Sequence, residues 1–287
     1  MRHSTTVTIG PRTFRIGSDW RAPVDAVDAL YRDYPAPASL IPDYTVRLEA
    51  AKFARRLIRP SVAICGDYTL PEAVPQSLAH GLISAEMAMN LQMALGERRF
   101  LLLHASSVEK GGKVLIMTGE SGSGKSTLSA LLASRGWRFM GDEFALIDPL
   151  TGDVCPFPRP ISLKNEAIGV MRGMLPATRF GPLQADTAKG DICHLIPDDA
   201  AIAAMHNPAP PALILFPAYG LPCDIRPVGK SEAFVRLTQA STNYTALGEA
   251  GFDALARLVK NVPIGAIDYP DTDTALALVD ELWAALP

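Results

Sequence analysis

The stretch that most constrains this chain is KVLIMTGESGSGKSTLSALLASRG, residues 113–136. An apolar run enters a glycine-rich turn, and a second apolar run with helical spacing leaves it. Gly119, Gly124, Lys125 and Ser126 fit the spacing G-x-x-x-x-G-K-[ST] in full. The spacing has a physical reason. Across Gly119, Glu120, Ser121, Gly122, Ser123 and Gly124 the backbone can turn sharply and aim successive N–H groups at one anion. The helix that opens at Lys125, Ser126 and Thr127 adds its unpaired N–H groups and positive dipole end. Lys125 is placed to reach β- and γ-phosphates, and the Ser126 hydroxyl to hold Mg²⁺. The pattern therefore predicts a strand, a loop and a helix that bind ATP with Mg²⁺.

The residues before the loop narrow the fold further. In RRFLLLHASSVEKGGKVLIMTG, two apolar runs flank Glu109-Lys110-Gly111-Gly112, which reads as a hairpin. The strand entering the loop is then the second arm of that hairpin, so part of the sheet is antiparallel. After the loop helix, Gly136 stops the chain, and WRFM can return as a strand beside the loop's own strand. ALILFPAYG reads as a buried strand. EAGFDALARLVKN and TDTALALVDELWAAL read as amphipathic helices, the second capped by Thr272 or Asp273.

Upstream, TVTIGPRTFRIG alternates around Gly10-Pro11 as a hairpin would. PVDAVDALYRDYP has helical spacing, YPAPASLIP is a loop and DYTVRLEA a strand. Residues 1–75 are thus expected to form a small α+β N-terminal module, and residues 76–287 the loop-bearing domain. Between them, Leu78, Leu82, Ala85, Met89 and Met93 mark one face of a helix ended by Gly96, with the methionines filling core.

Composition excludes several classes. The net charge of −3 argues against nucleic acid or an anionic membrane as the main partner. Cys65, Cys155, Cys193 and Cys223 are scattered, with neither zinc spacing nor disulfide density, and read as reduced thiols. No apolar run has the length of a spanning helix. The expectation is a soluble, cytoplasmic protein with no membrane insertion.

Several residues outside the loop are candidates for chemistry. The acids Asp142 and Glu143, in RGWRFMGDEFALID, return toward the phosphate end of the sheet, with Gly141 leaving room for a close approach. One acid could accept the proton of an attacking hydroxyl and the other could hold Mg²⁺. On a strand they would point to opposite sides. His104 ends the FLLLH run beside the loop. Arg159 and Lys164, in PFPRPISLKN, are cations that could stabilise a transferring phosphate.

Taken together, LLHASSVEKGGKVLIMTGESGSGKSTLSALLASRGWRFMGDEFALID resembles the bacterial HPr kinase/phosphorylase group. PRPISLKN, FGPLQADTAKG, FPAYG, STNYTALGEAGFDALARLV and RIGSDW resemble its HprK-related kinase A subgroup. The resemblance implies an α/β fold: a P-loop kinase core of the HPr kinase / phosphoenolpyruvate carboxykinase-like type, with a mixed sheet. It implies a serine kinase linked to exopolysaccharide or exosortase systems, with a protein or peptide phospho-acceptor and assembly as a homo-oligomer. By position, Lys125 and Ser126 match its nucleotide and Mg²⁺ residues, Asp142 its catalytic acid, which takes the serine proton as base, Glu143 its second acid and His104 its histidine. Three features depart from the HPr enzymes: Thr127 where they have Glu, Glu143 where they have Asp, and no Glu-Ile-Arg-Gly run. A nucleotide-binding regulatory module and a sugar or lipid kinase are the alternatives.

Overall fold

The computed structural model describes residues 1–37, 39, 41–70 and 72–286. The expected loop YPAPASLIP includes residues 38 and 40, which lie outside the described residues. The apolar strands assemble into a mixed sheet. Its order is Asp224–Pro227, Ile264–Tyr269, Pro211–Tyr219, Lys113–Thr118, Ala105–Lys110, Arg138–Gly141. Pro211–Tyr219 runs parallel to both its neighbours, and the other pairs are antiparallel.

The two central strands, Lys113–Thr118 and Pro211–Tyr219, are apolar along their middles because both faces are covered. Along Lys113–Thr118 the side chains alternate between two cores. Leu115 and Met117 pack with Leu128 and Leu131 of the helix Lys125–Ser134 and with Leu276 and Val279 of the helix Thr272–Ala284. Val114 and Ile116 pack on the opposite face with Leu237 of the helix Lys230–Ala240 and with Leu255 and Leu258 of the helix Glu249–Asn261. Pro211–Tyr219 repeats the alternation, with Leu213 and Leu215 on the first face and Ile214 and Phe216 on the second. Each such side chain contributes roughly 1.5–3 kcal/mol when fully buried. The last helix is capped by Asp271, whose side chain accepts from the Thr274 amide, and not by Thr272 or Asp273.

The hairpin before the loop forms with Lys110 opposite Lys113. Gly111 and Gly112 both take the positive φ that a two-residue turn of this hand needs. The return strand, however, does not lie beside the loop strand. Arg138–Gly141 pairs with Ala105–Lys110, one strand further out. The hairpin's first arm already fills that side of the loop strand, and Pro211–Tyr219 fills the other.

The N-terminal strands His3–Ile9, Arg12–Ser18, Tyr44–Ala50 and Ser61–Gly66 form a second sheet with Gln76–Ser77. The helix Arg21–Leu30 lies against it. Packing does not break at residue 75. Gln76–Ser77 belongs to this sheet, and Leu82, Ala85, Met89 and Met93 of the helix Gly81–Gly96 share its core. That core continues into Phe144, Leu146, Phe157 and Ile196 of the following chain. Two smaller sheets flank the assembly. One joins Leu101–Leu103, Ala145–Ile147 and Val154–Cys155; the other joins Ile161–Lys164, Gly190–Leu195 and Gln184–Thr187.

Candidate functional site

The glycine loop leaves the carboxyl end of Lys113–Thr118, where parallel strands of an α/β sheet present ligand sites. Gly124 precedes the helix with φ +91°, a conformation few side chains accept. A Cβ there would lie 2.3 Å from the Tyr269 hydroxyl. Tyr269 ends the strand Ile264–Tyr269, and its hydroxyl donates to the Ser123 carbonyl at 3.1 Å. Tyr219 lies opposite it in the register and against its ring. The two strand ends thus brace the loop from one side.

Lys125 is buried and folded back over the loop. Its Nζ donates to the Gly119 and Glu120 carbonyls, both at 2.8 Å. Burial lowers its pKa and Lys164 adds to that, while Asp142 and Glu143 oppose it. An ammonium held in this way is only partly compensated, and an anion in the loop would complete its environment.

Asp142 comes just after the end of the return strand. Although that strand is one position further out than expected, the side chain reaches back to the loop helix. Ser126 Oγ donates to Asp142 Oδ1 at 3.1 Å, and Ser106 Oγ donates to the same oxygen. Asp142 is 3% exposed, and its Oδ2 has no hydrogen-bond partner among the described residues. Burial, then the charge of Glu143, raises its pKa above the usual carboxylate value. A buried carboxylate oxygen without a donor is costly unless a cation or water completes it. Asp142 and Ser126 fit an ion such as Mg²⁺, which takes one or two carboxylates and draws its other ligands from phosphates and water. Among the described residues no cluster of three or more His, Cys, Asp or Glu could hold a metal without such help.

The acids diverge because the chain turns, not because a strand pleats. Glu143 has φ +69°, and its side chain stays partly exposed. His104 sits where the chain passes from Leu101–Leu103 to Ala105–Lys110. Its Nδ1 lies 3.1 Å from the Glu143 carbonyl and 3.7 Å from Glu143 Oε2. Gly141 does allow a close approach, but to backbone: a Cβ there would lie 3.1 Å from the Phe157 carbonyl oxygen.

A cavity of about 760 Å³ joins these groups. Ser121, Gly122, Gly124, Lys125, Ser126 and Thr127 line it from the loop, and His104, Asp142, Glu143 and Lys164 from the sheets. Its size suits a ligand of nucleotide dimensions. Gly119, Glu120 and Ser123 are not among its walls; they contribute the carbonyls and hydroxyl that hold Lys125.

Among solved structures, the chain is similar to the HPr(Ser) kinase/phosphatase from Coxiella burnetii. The match has 14% identity and a TM-score of 0.28, over 64% of this chain and 97% of that one. No family model matches the chain, and no curated protein matches it.

Arg159 stands apart from the site. Its guanidinium is buried and ion-paired with Glu86 at 2.5 Å, with Asn90 and Tyr31 as further partners. It does not line the cavity, and its charge is already matched inside the N-terminal core. The expectation of a phosphate clamp fails here because a cation among apolar neighbours must be paired.

Four residues of the site lie outside the candidates named from the sequence, although Tyr219 and Lys189 fall within FPAYG and FGPLQADTAKG. Ser106 shows only as a polar interruption in the apolar run before the hairpin. Tyr219 and Tyr269 each end an apolar strand before a turn, a signal readable only once the strands are known to be parallel. Lys189 reaches the cavity from the turn between Gln184–Thr187 and Gly190–Leu195, and nothing in the sequence placed that turn near the loop.

Proposed function

We propose that the protein is an ATP- and Mg²⁺-dependent phosphotransferase acting on a hydroxyl, with a Ser or Thr of a small protein or peptide as the acceptor. The observation that supports this most is the contact of Ser126 with Asp142, beside a buried carboxylate oxygen that lacks a partner among the described residues. Mg²⁺, when bound, would supply positive charge to the phosphate oxygens. Ser126 and Asp142 would hold it, and the loop amides with Lys125 would hold the phosphates.

The geometry favours a division of labour between the acids. Asp142 is already shared between two hydroxyls and faces the loop helix, which suits cation binding. Glu143 is less buried and lies beside His104 on the cavity wall, which suits proton acceptance. Glu143 would take the acceptor's hydroxyl proton as its oxygen bonds to phosphorus and the bond to the nucleotide breaks. His104 would orient the Glu143 segment through its carbonyl. Lys164 would balance charge on the transferring group.

The test is transfer of label from γ-labelled ATP in lysate of the source cells, with Lys125→Ala as the blank. Label on a protein band, absent with the blank, supports the reading. Label on an extracted small molecule would assign a sugar or lipid kinase. Nucleotide binding with no labelled product would assign a regulatory module.

A further inference from the structure

The connection between Tyr44–Ala50 and Ser61–Gly66 carries a surface unlike the rest of the chain. Phe53 is 92% exposed, Leu57 82% and Ile58 68%. Around them stand Lys52, Arg55, Arg56 and Arg59, and no Asp or Glu occurs from Ala50 to Gly66. Four cations and three large apolar side chains thus share one short loop of a chain whose net charge is −3. Isolated exposed apolar residues need no explanation, but a cluster within one loop does.

The loop is an ordered projection. Ile58 N donates to the Ala54 carbonyl at 2.9 Å, and Arg55 N to the Lys52 carbonyl at 2.8 Å. Trp20 Nε1 donates to the Arg56 carbonyl at 3.0 Å, and Ala50 N to Asp19 Oδ2 at 3.1 Å, which tie the loop to the body. The structure therefore holds the apolar side chains outward.

We infer that this loop docks on an anionic lipid surface. The exposures decide the occupant. Side chains this far out line no groove, so they cannot receive a peptide; they can only enter something. A lipid interface takes apolar tips a few ångströms deep and pairs the surrounding cations with acidic headgroups. The aliphatic stems of Lys and Arg also lie readily along such a boundary. Overall net charge argues against such a partner for the whole chain, and the loop is the local exception. Among the described residues no helix is long and apolar enough to cross a membrane, so this contact is peripheral.

Vesicle flotation tests it with the full chain. The vesicles are phosphatidylcholine alone, or phosphatidylcholine with about one-third phosphatidylglycerol. The protein should float with the anionic vesicles and not with the neutral ones, and salt should release it. The triple variant Phe53→Ser, Leu57→Ser, Ile58→Ser should lower the bound fraction at least ~10-fold. Lys52→Gln, Arg55→Gln, Arg59→Gln should also lower it and flatten the salt dependence. These side chains are exposed, so melting temperatures should stay at the wild-type value and serve as the folding control. In Phe53→Trp, emission from the new indole should shift to the blue on the anionic vesicles. Absence of wild-type binding, equal binding to both vesicles, or wild-type binding by both multiple variants would overturn the inference. Binding to polyglutamate without binding to vesicles would overturn it in favour of an acidic protein partner.

Discussion

Ser126 and Asp142 lie on different elements and meet at 3.1 Å, hydroxyl to carboxylate, at the foot of the glycine loop. Ser126 is fixed by the first turn of the loop helix. Asp142 is brought back by a strand that the hairpin's first arm separates from the loop strand. A second hydroxyl, from Ser106 on that intervening arm, holds the same carboxylate oxygen, and the other has no donor among the described residues.

Asp142→Asn should stabilise the nucleotide-free protein at neutral pH. Burial and the Glu143 charge raise the Asp142 pKa in the folded state. An acid so raised favours folding below its unfolded pKa, and that contribution is lost as pH climbs through the folded pKa. At neutral pH, above the unfolded pKa, this carboxyl is thus a liability without a cation. The gain should be on the order of 0.5–2 kcal/mol, with loss of the Mg²⁺-dependent part of nucleotide affinity. Melting curves with and without Mg²⁺ and ATP check both halves. A variant that melts lower yet responds to Mg²⁺ like the wild type would contradict the assignment.

Glu143→Gln should separate chemistry from binding. Transfer should slow by roughly 10²–10⁴-fold, the usual contribution of a positioned base. Nucleotide affinity should be kept or rise slightly, because Glu143 acts on Lys125 of the loop helix through a negative charge that opposes a bound phosphate. Turnover and affinity measured on the same preparation check this. Equal loss of both would return Glu143 to the binding machinery.

Arg159→Ala should damage stability and not the site. It strands Glu86 in the N-terminal core, at a cost of about 3–5 kcal/mol. Replacing Glu86 and Arg159 together by Met should recover much of that loss. Urea unfolding of the single and double variants, with nucleotide affinity measured under folded conditions, provides the check. Weakened nucleotide binding by a folded double variant would show that the cation serves the site after all.

Gly124→Ala should fail twice over, from positive φ and from the collision with the Tyr269 hydroxyl. Strain of this kind costs roughly 1–3 kcal/mol. Tyr269→Phe removes the colliding oxygen but not the backbone strain, so it should rescue Gly124→Ala only in part. A double-mutant cycle in stability reads the coupling directly. Strict additivity would mean that the loop is not braced by Tyr269.

Much of this was legible in the chain. The hairpin, the loop, its helix and the two C-terminal helices follow from apolar period and glycine placement, which are local signals. The alternation of Val114, Leu115, Ile116 and Met117 hides because both faces are buried, leaving a continuous apolar run. What failed was long-range. The return strand's neighbour depends on which sheet positions are already filled. The pairing of Arg159 with Glu86 joins residues far apart in sequence, and no spacing rule reaches it. Ser106 and Tyr269 became visible only through the register that sets them beside Asp142 and Ser123.

The most direct measurement is calorimetric titration of ATP into the wild type, Lys125→Ala and Asp142→Asn, each with and without Mg²⁺. The account predicts that ATP binds the wild type and that Mg²⁺ strengthens binding. Lys125→Ala should weaken it at least ~10-fold, the loss expected when a charged hydrogen-bond donor is removed from an anion site. Asp142→Asn should keep the Mg²⁺-free affinity and lose the Mg²⁺ gain. ATP binding unaffected by Lys125→Ala, or a Mg²⁺ response that survives Asp142→Asn, would contradict it.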